Sequence, residues 1–342
     1  MVCSVHPHHG VYLERVPGVN APAARSVTRP PGGSEPDQPG CYCWLHAIQR
    51  TSHSPAGQKM SHRESLQLLD LPWDDVVFQH IFPYLNVEDL CCLREVSKGF
   101  QKLFIDYMST CKKLDLSDCT MTNQYFQKIT ENCTNLQWLS VAKCSWLSDE
   151  PLIALFNRNL HLHHVDLSAC SGLTSAALQI LVIKCKLKAL LLANCQWLSL
   201  DCWKAIIQHQ SDLQHISTAN SSDVDIQTLE QFFCKFSRLK VVELDKMELL
   251  TDVGLHHLAT NCTHIETLSV AGCWKLTDSG LKKVVNHCLK LKLLNIQNCP
   301  RVTEKYLCSL CVRGIHVISS CSVAYMVKRR KQVNYLGINI QI

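Results

Sequence analysis

The chain has 342 residues, 46% of them apolar and 18% charged, with a formal net charge of +5, a balance that suits a globular protein with a sizeable core. The charge is too mild for a nucleic-acid binder, which masses basic residues on one surface, and no apolar run approaches the roughly 20 residues needed to span a bilayer. No charged n-region followed by an apolar stretch opens the chain, so the 21 cysteines are expected to be free thiols of a cytosolic or nuclear protein rather than a disulfide framework.

Residues 1–65 read as a disordered extension. The stretch from Val16 to Gly40 is rich in Pro, Gly, Ser and Ala and has no strand or helix period. Such composition cannot bury enough apolar area to offset chain entropy. Met60 is expected to be a usable start, which would make residues 1–59 optional.

Residues 66–110 read as short amphipathic helices. Pro72 stands where a first helical turn accepts proline, and Asp74 and Asp75 follow where the helix dipole favours acid. Val77, Ile81 and Leu85 recur at helical spacing. Asn86 is placed to cap a second helix with Glu88 and Asp89 in its first turn, and Leu90, Leu93 and Val96 continue the stripe. A segment this short has no core of its own, so its apolar faces must lie against the rest of the chain or another protein.

From residue 111 to about 320 the chain repeats itself. Cys119, Cys144, Cys170, Cys195, Ser221, Met247, Cys273 and Cys299 form one column at intervals of 25 or 26 residues. Three positions on lie Leu147, Leu173, Leu198, Val224, Leu250, Leu276 and Val302. Eight positions on lie Leu152, Leu178, Trp203, Leu229, Leu255, Leu281 and Leu307. Alternating pairs precede the column, from Leu114/Leu116 to Leu294/Ile296. Each unit therefore reads as a short strand, a turn and a helix, the leucine-rich-repeat pattern. The fold class expected is an α/β solenoid of about eight units, with a concave parallel sheet and convex helices, because one unit cannot bury its apolar face alone. The first unit is irregular, with Thr122 and Gln127 in the later columns. Residues 321–342 read as a terminal cap or tail.

The column cysteines face the turn interior, where backbone groups need partners, and are expected to be structural. The polar run Asn220 to Asp223 marks the fifth unit as a binding site, a bend or simple drift. Cys308 and Cys311 have zinc-ligand spacing, but no second pair stands at a matching distance, and no metal or cofactor is expected. Lys328 to Lys331 read either as a nuclear signal or as a solvated basic turn.

The stretch Leu71-Pro72-Trp73-Asp74-Asp75-Val76, then Ile81-Phe82-Pro83-Tyr84-Leu85, then Asp89-Leu90, Leu93, Val96-Ser97, Phe100 and Leu103 resembles the F-box. Followed by cysteine-type repeats, it resembles the F-box/leucine-rich-repeat family. That resemblance implies a non-catalytic adaptor of an SCF-type ubiquitin ligase. Its F-box would bind the Skp adaptor, and through it a cullin scaffold and a RING subunit, while its repeats hold a protein substrate for ubiquitination and degradation. Carried over by position, the adaptor-facing residues would be Leu71, Pro72, Ile81, Phe82, Leu85, Leu90, Leu93, Val96 and Phe100, some of which can instead pack inside. Phe100 departs from the tryptophan many F-boxes carry, and Pro83 from a frequent serine.

On the concave face the candidate substrate contacts are Trp138, His164, Asp166, His215 and Glu243. Aromatic residues dominate interface hot spots, although Trp138 could equally pack against its neighbours. The acids favour a basic segment of a partner. Neither nucleic acid nor membrane is expected as a partner. The other reading is a leucine-rich-repeat scaffold outside any ligase, whose F-box-like helices only cap the solenoid.

Overall fold

The chain leaves each of the first eight strands of the solenoid through one residue in the left-handed backbone region. In the computed structural model, these residues are Asp118, Lys143, Ala169, Asn194, Asn220, Lys246, Gly272 and Asn298, with φ between 53° and 75°. Asp, Asn and Gly tolerate that region, whereas Lys143, Ala169 and Lys246 accept its strain. The structure describes residues 68–85, 87–221, 224–303, 305–307, 310 and 313–320. The expected N-terminal extension, the C-terminal tail, the Asn86 cap, Asp223, the Cys308/Cys311 pair and Lys328–Lys331 lie outside the described residues.

Four short helical turns, Leu68–Asp70, Trp73–Val77, Phe78–His80 and Phe82–Tyr84, lead into helices α1 (Val87–Val96) and α2 (Lys98–Thr110). Strands and helices then alternate. The strands are β1 (Lys113–Asp115), β2 (Trp138–Ser140), β3 (His164–Asp166), β4 (Ala189–Leu191), β5 (His215–Ser217), β6 (Val241–Glu243), β7 (Thr267–Ser269), β8 (Leu293–Asn295) and β9 (His316–Ile318). Between them lie α3 (Asn123–Thr130), α4 (Asp149–Arg158), α5 (Ser175–Lys184), α6 (Leu200–His209), α7 (Ile226–Lys235), α8 (Asp252–Asn261) and α9 (Asp278–His287).

All nine strands are parallel and lie in chain order. Their register is in step, so Lys113, Trp138, His164, Ala189, His215, Val241, Thr267, Leu293 and His316 form one row across the sheet. This is the α/β solenoid expected from the sequence, with one strand more than the eight aligned units. β9 has the buried pair Ile315 and Val317 but carries no column cysteine after it, so it escaped the alignment.

The column side chains seal successive units together. The thiol of Cys144 donates to the Leu116 carbonyl at 3.1 Å, Cys170 to Val141 at 2.9 Å, and Cys195 to Leu167 at 3.2 Å. Cys273 and Cys299 do the same to Leu244 and Val270, both at 3.2 Å. Ser221 makes the equivalent bond to Leu192 at 2.6 Å, so the polar fifth unit retains the column's role. Met247 fills its place without a donor, and the nearby hydroxyl of Thr218 is buried with no partner among the described groups.

Burial pushes the thiols of Cys170, Cys195 and Cys273 up to about 12. At about pH 8 roughly one in 10⁴ of each would be thiolate, the reactive form. Among the cysteines of the described residues, exposed Cys234 is expected to react first with a thiol-specific disulfide reagent on native protein, and these three column cysteines only after denaturation. Mass-spectrometric mapping of labelled sites checks this; rapid native labelling of Cys170 would contradict it.

A second sealing column, at the helix C-termini, went unread in the sequence. It holds Cys133, Asn159, Cys185, Gln210, Phe236, Cys262 and Cys288, all buried. At the other helix ends, Asp149, Asp252 and Asp278 each accept the backbone N–H and the hydroxyl of Thr174, Thr277 and Thr303 in the next unit, at 2.5–2.9 Å. Gly280 lies against Asp252, where an added Cβ would meet the carboxylate at 2.4 Å, so this contact demands glycine.

Candidate protein-interaction surfaces

The helical segment owes its shape to a few local contacts. The hydroxyl of Ser97 caps α2 by accepting the Phe100 N–H at 3.3 Å. Gly99 lets Leu69 approach so closely that a Cβ would stand 2.9 Å from its methyl. The Trp73 indole donates to the Leu69 carbonyl at 3.2 Å. Phe78, Phe82 and Tyr107 form an aromatic cluster with centroids 4.9–5.8 Å apart. This cluster belongs to one apolar core that continues through Met108 and Leu114 into the repeats. A cleft of about 900 Å³ opens beside it, lined by Phe78, Leu85, Tyr107, Lys113 and Asp115 among others.

Burial sorts the nine residues assigned to an adaptor-facing surface. Phe82 is 1% exposed and Leu90 5%. Both fill the internal core, the inward packing that the motif residues could take as an alternative to the surface. Leu71, Ile81, Leu85, Leu93 and Phe100 are half-buried and packed against that core. Pro72 is exposed, and Val96 is 50% exposed. Tyr84, quoted in the motif but left out of the expected surface, is 85% exposed. Arg94 was also unforeseen: it is buried, lies 5.6 Å from the Phe104 ring centroid, and leaves Nε and Nη1 without partners among the described groups. Nothing in its sequence setting marks a buried charge.

The second surface is the open face of the sheet. Trp138 stacks on His164 at 5.2 Å with 21° between the rings, and the Lys113 ammonium lies 4.4 Å from its centroid. Its ring is thus engaged by neighbours on both flanking strands, which favours the packing reading of this residue. His164, Asp166, His215 and Glu243 come together around β4, whose outward residues Ala189, Leu191 and Ala193 offer no polar side-chain atom. Burial holds the His164 imidazole below its usual range, and the nearby His215 adds to the effect while Asp166 opposes it. Burial likewise lowers His215 against the pull of Glu243 and Asp166, and the His215 Nε2 is buried without a partner among the described groups. Asp166 accepts the Ser168 N–H at 2.9 Å and the Ser140 hydroxyl at 3.5 Å. Among the described residues no group of three or more His, Cys, Asp or Glu is placed to hold a metal ion.

No family model matches the chain. It is 31% identical over 124 residues to F-box/LRR-repeat protein 15 of Mus musculus, a match covering 35% of this chain and 41% of that protein. The protein of the same name from Rattus norvegicus is 30% identical with the same coverage. F-box/LRR-repeat protein 4 of Bos taurus is 22% identical over 238 residues, 59% of this chain and 38% of that one. The chain thus spans about two fifths of the length of the curated relatives it matches. Among solved structures, the yeast Rad7 and Elc1 complex aligns with a TM-score of 0.44 at 12% identity, covering 67% of this chain and 76% of that one. The leucine-rich repeat-containing protein LegL7 from Legionella pneumophila aligns at 0.39 and 10% identity, covering 64% and 87%.

Proposed function

We propose that this chain, which resembles the F-box/leucine-rich-repeat proteins, is the substrate-recognition subunit of an SCF-type ubiquitin ligase. Its helical segment binds the Skp adaptor, which joins it to a cullin scaffold and a RING subunit. Its repeats hold a protein substrate on the strand face while a separate conjugating enzyme transfers ubiquitin. The observation that carries this reading is apolar surface left outside a core already filled. Tyr84 and Val96 are exposed, and Leu71, Leu85 and Leu93 are only half-covered. Exposed apolar groups gathered in one short segment mark interaction surfaces.

Affinity capture with the full chain is expected to recover the adaptor and the cullin, and a Tyr84→Ser/Val96→Ser variant is expected to recover neither. Recovery of neither by the unaltered chain overturns the reading. One observation favours a second reading, a repeat scaffold capped by its N-terminal helices: a single apolar core runs from the helical segment into the first repeat, as a solenoid cap requires. On that reading the double variant has no effect on any captured partner.

A further inference from the structure

We propose that the strand face between β3 and β6 takes an extended basic segment of the protein substrate, with two lysine or arginine side chains four residues apart, one at Asp166 and one at Glu243. The inference rests on the reading of this face as the one that holds substrate, and it names the chemistry that face selects.

Charge is the first argument. The chain as a whole carries +5, yet its outward strand positions reverse that sign. Across the nine strands, each counted with the outward residue that follows it, the carboxylates are Asp115, Asp166, Glu243 and Asp245, and the only lysine or arginine is Lys113. Lys113 is held over Trp138, away from β4. Asp245 accepts the Ser269 hydroxyl and the Ala271 N–H through one oxygen, at 2.5 and 2.7 Å, and burial pushes its carboxyl above the usual range, while Asp115 accepts the Ser117 N–H at 3.1 Å and shares β1 with Lys113. The Glu243 carboxylate makes no hydrogen bond or salt bridge among the described residues, and Asp166 keeps one oxygen tied only by the 3.5 Å contact to Ser140. Asp166 and Glu243 stand on either side of β4 and β5, and no lysine or arginine stands among the outward residues of their own strands.

Geometry supplies the spacing. Asp166 and Glu243 occupy the same row on strands three apart, about 14 Å at the usual separation of paired strands. An extended segment advancing about 3.3 Å per residue places side chains i and i+4 on one side at roughly 13 Å. Between the carboxylates, β4 presents Ala189 and Leu191, an apolar floor on which the alkyl stem of lysine or arginine can lie while its head reaches a carboxylate. His164 and His215 wall this floor. Burial holds both below their usual range, which disfavours the cationic form that would repel an incoming lysine or arginine.

Fluorescence anisotropy of labelled synthetic peptides against the full chain tests this. One peptide carries two arginines four residues apart in a Gly/Ser background, one carries them adjacent, and one carries glutamates in their place. Binding is expected for the first, several-fold weaker binding for the second, and none for the third. Asp166→Asn/Glu243→Gln is expected to weaken the first at least tenfold, whereas Asp118→Asn, which removes an exposed acid paired with Lys143 at 3.8 Å, leaves it unchanged. Equal binding by the double variant, or binding of the glutamate peptide, overturns the inference. Adaptor capture by the double variant separates the two readings. If capture persists while the arginine peptide never binds, this inference alone fails. If capture never occurs with the unaltered chain, the ligase reading fails, and the peptide result still decides this one.

Discussion

Asn159→Leu is expected to destabilise the protein by about 3–5 kcal/mol, one of the largest effects available to a single polar residue here. The Asn159 side chain is fully buried and makes three hydrogen bonds. It accepts the Leu136 N–H at 2.9 Å and donates to the carbonyls of Cys133 at 2.8 Å and Leu155 at 3.0 Å. Leucine matches it in number of side-chain heavy atoms but strands the Leu136 N–H and the Cys133 carbonyl away from water, and its greater bulk adds strain; the Leu155 carbonyl keeps the backbone N–H of residue 159. Each stranded group costs about 1–3 kcal/mol, with incomplete additivity. Gln210 bridges two units on in a similar way, accepting the Leu187 N–H and donating to the carbonyls of Val182 and Cys185 in the preceding unit at 2.6–2.8 Å, so Gln210→Leu should behave alike. Denaturant unfolding measures both, and a loss below about 1 kcal/mol for either would show that the amide bridge is not what joins these units.

The second large effect separates folding from recognition in the helical segment. Phe82→Ala is expected to cost about 3–5 kcal/mol, the usual loss for a buried phenylalanine, because the ring packs edge-on against Tyr107 at 4.9 Å and beside Phe78. Adaptor capture should then fail because the segment no longer holds its shape. Tyr84→Ser/Val96→Ser touches only exposed side chains and should leave stability within about 0.5 kcal/mol while capture is lost. Thermal unfolding run beside affinity capture tells the two apart. A stable Phe82→Ala protein, or an unfolded double variant, would contradict the division between inward and outward residues.

That division was not legible in the motif. Phe82 and Tyr84 stand two positions apart, are both aromatic, and match the same pattern, yet one is 1% exposed and the other 85%. An apolar side chain meets the demand of a core and of a partner surface equally well, so its chemistry cannot say which it serves. The repeat columns were legible because each one serves a single purpose. Leu147, Leu173 and Leu198 are all buried, as their common spacing required. The Asn159 column holds cysteine at only four of its seven positions, and Asn159, Gln210 and Phe236 interrupt the recurrence that made the other column visible. Trp138 looked like an anchor because an aromatic on a strand face has that potential, but its ring is engaged by Lys113 and His164 on the flanking strands.

By itself the sequence determined the solenoid: the period of 25 or 26 residues, the strand register and the inward columns. Apolar area must leave water, and a unit this small can bury its own only by stacking. Only the tertiary structure decided which motif residues point outward, which amides seal the units, and that His164, Asp166, His215 and Glu243 share one surface. These residues are separated by up to three repeats, and their proximity exists only once parallel strands bring distant positions into one row.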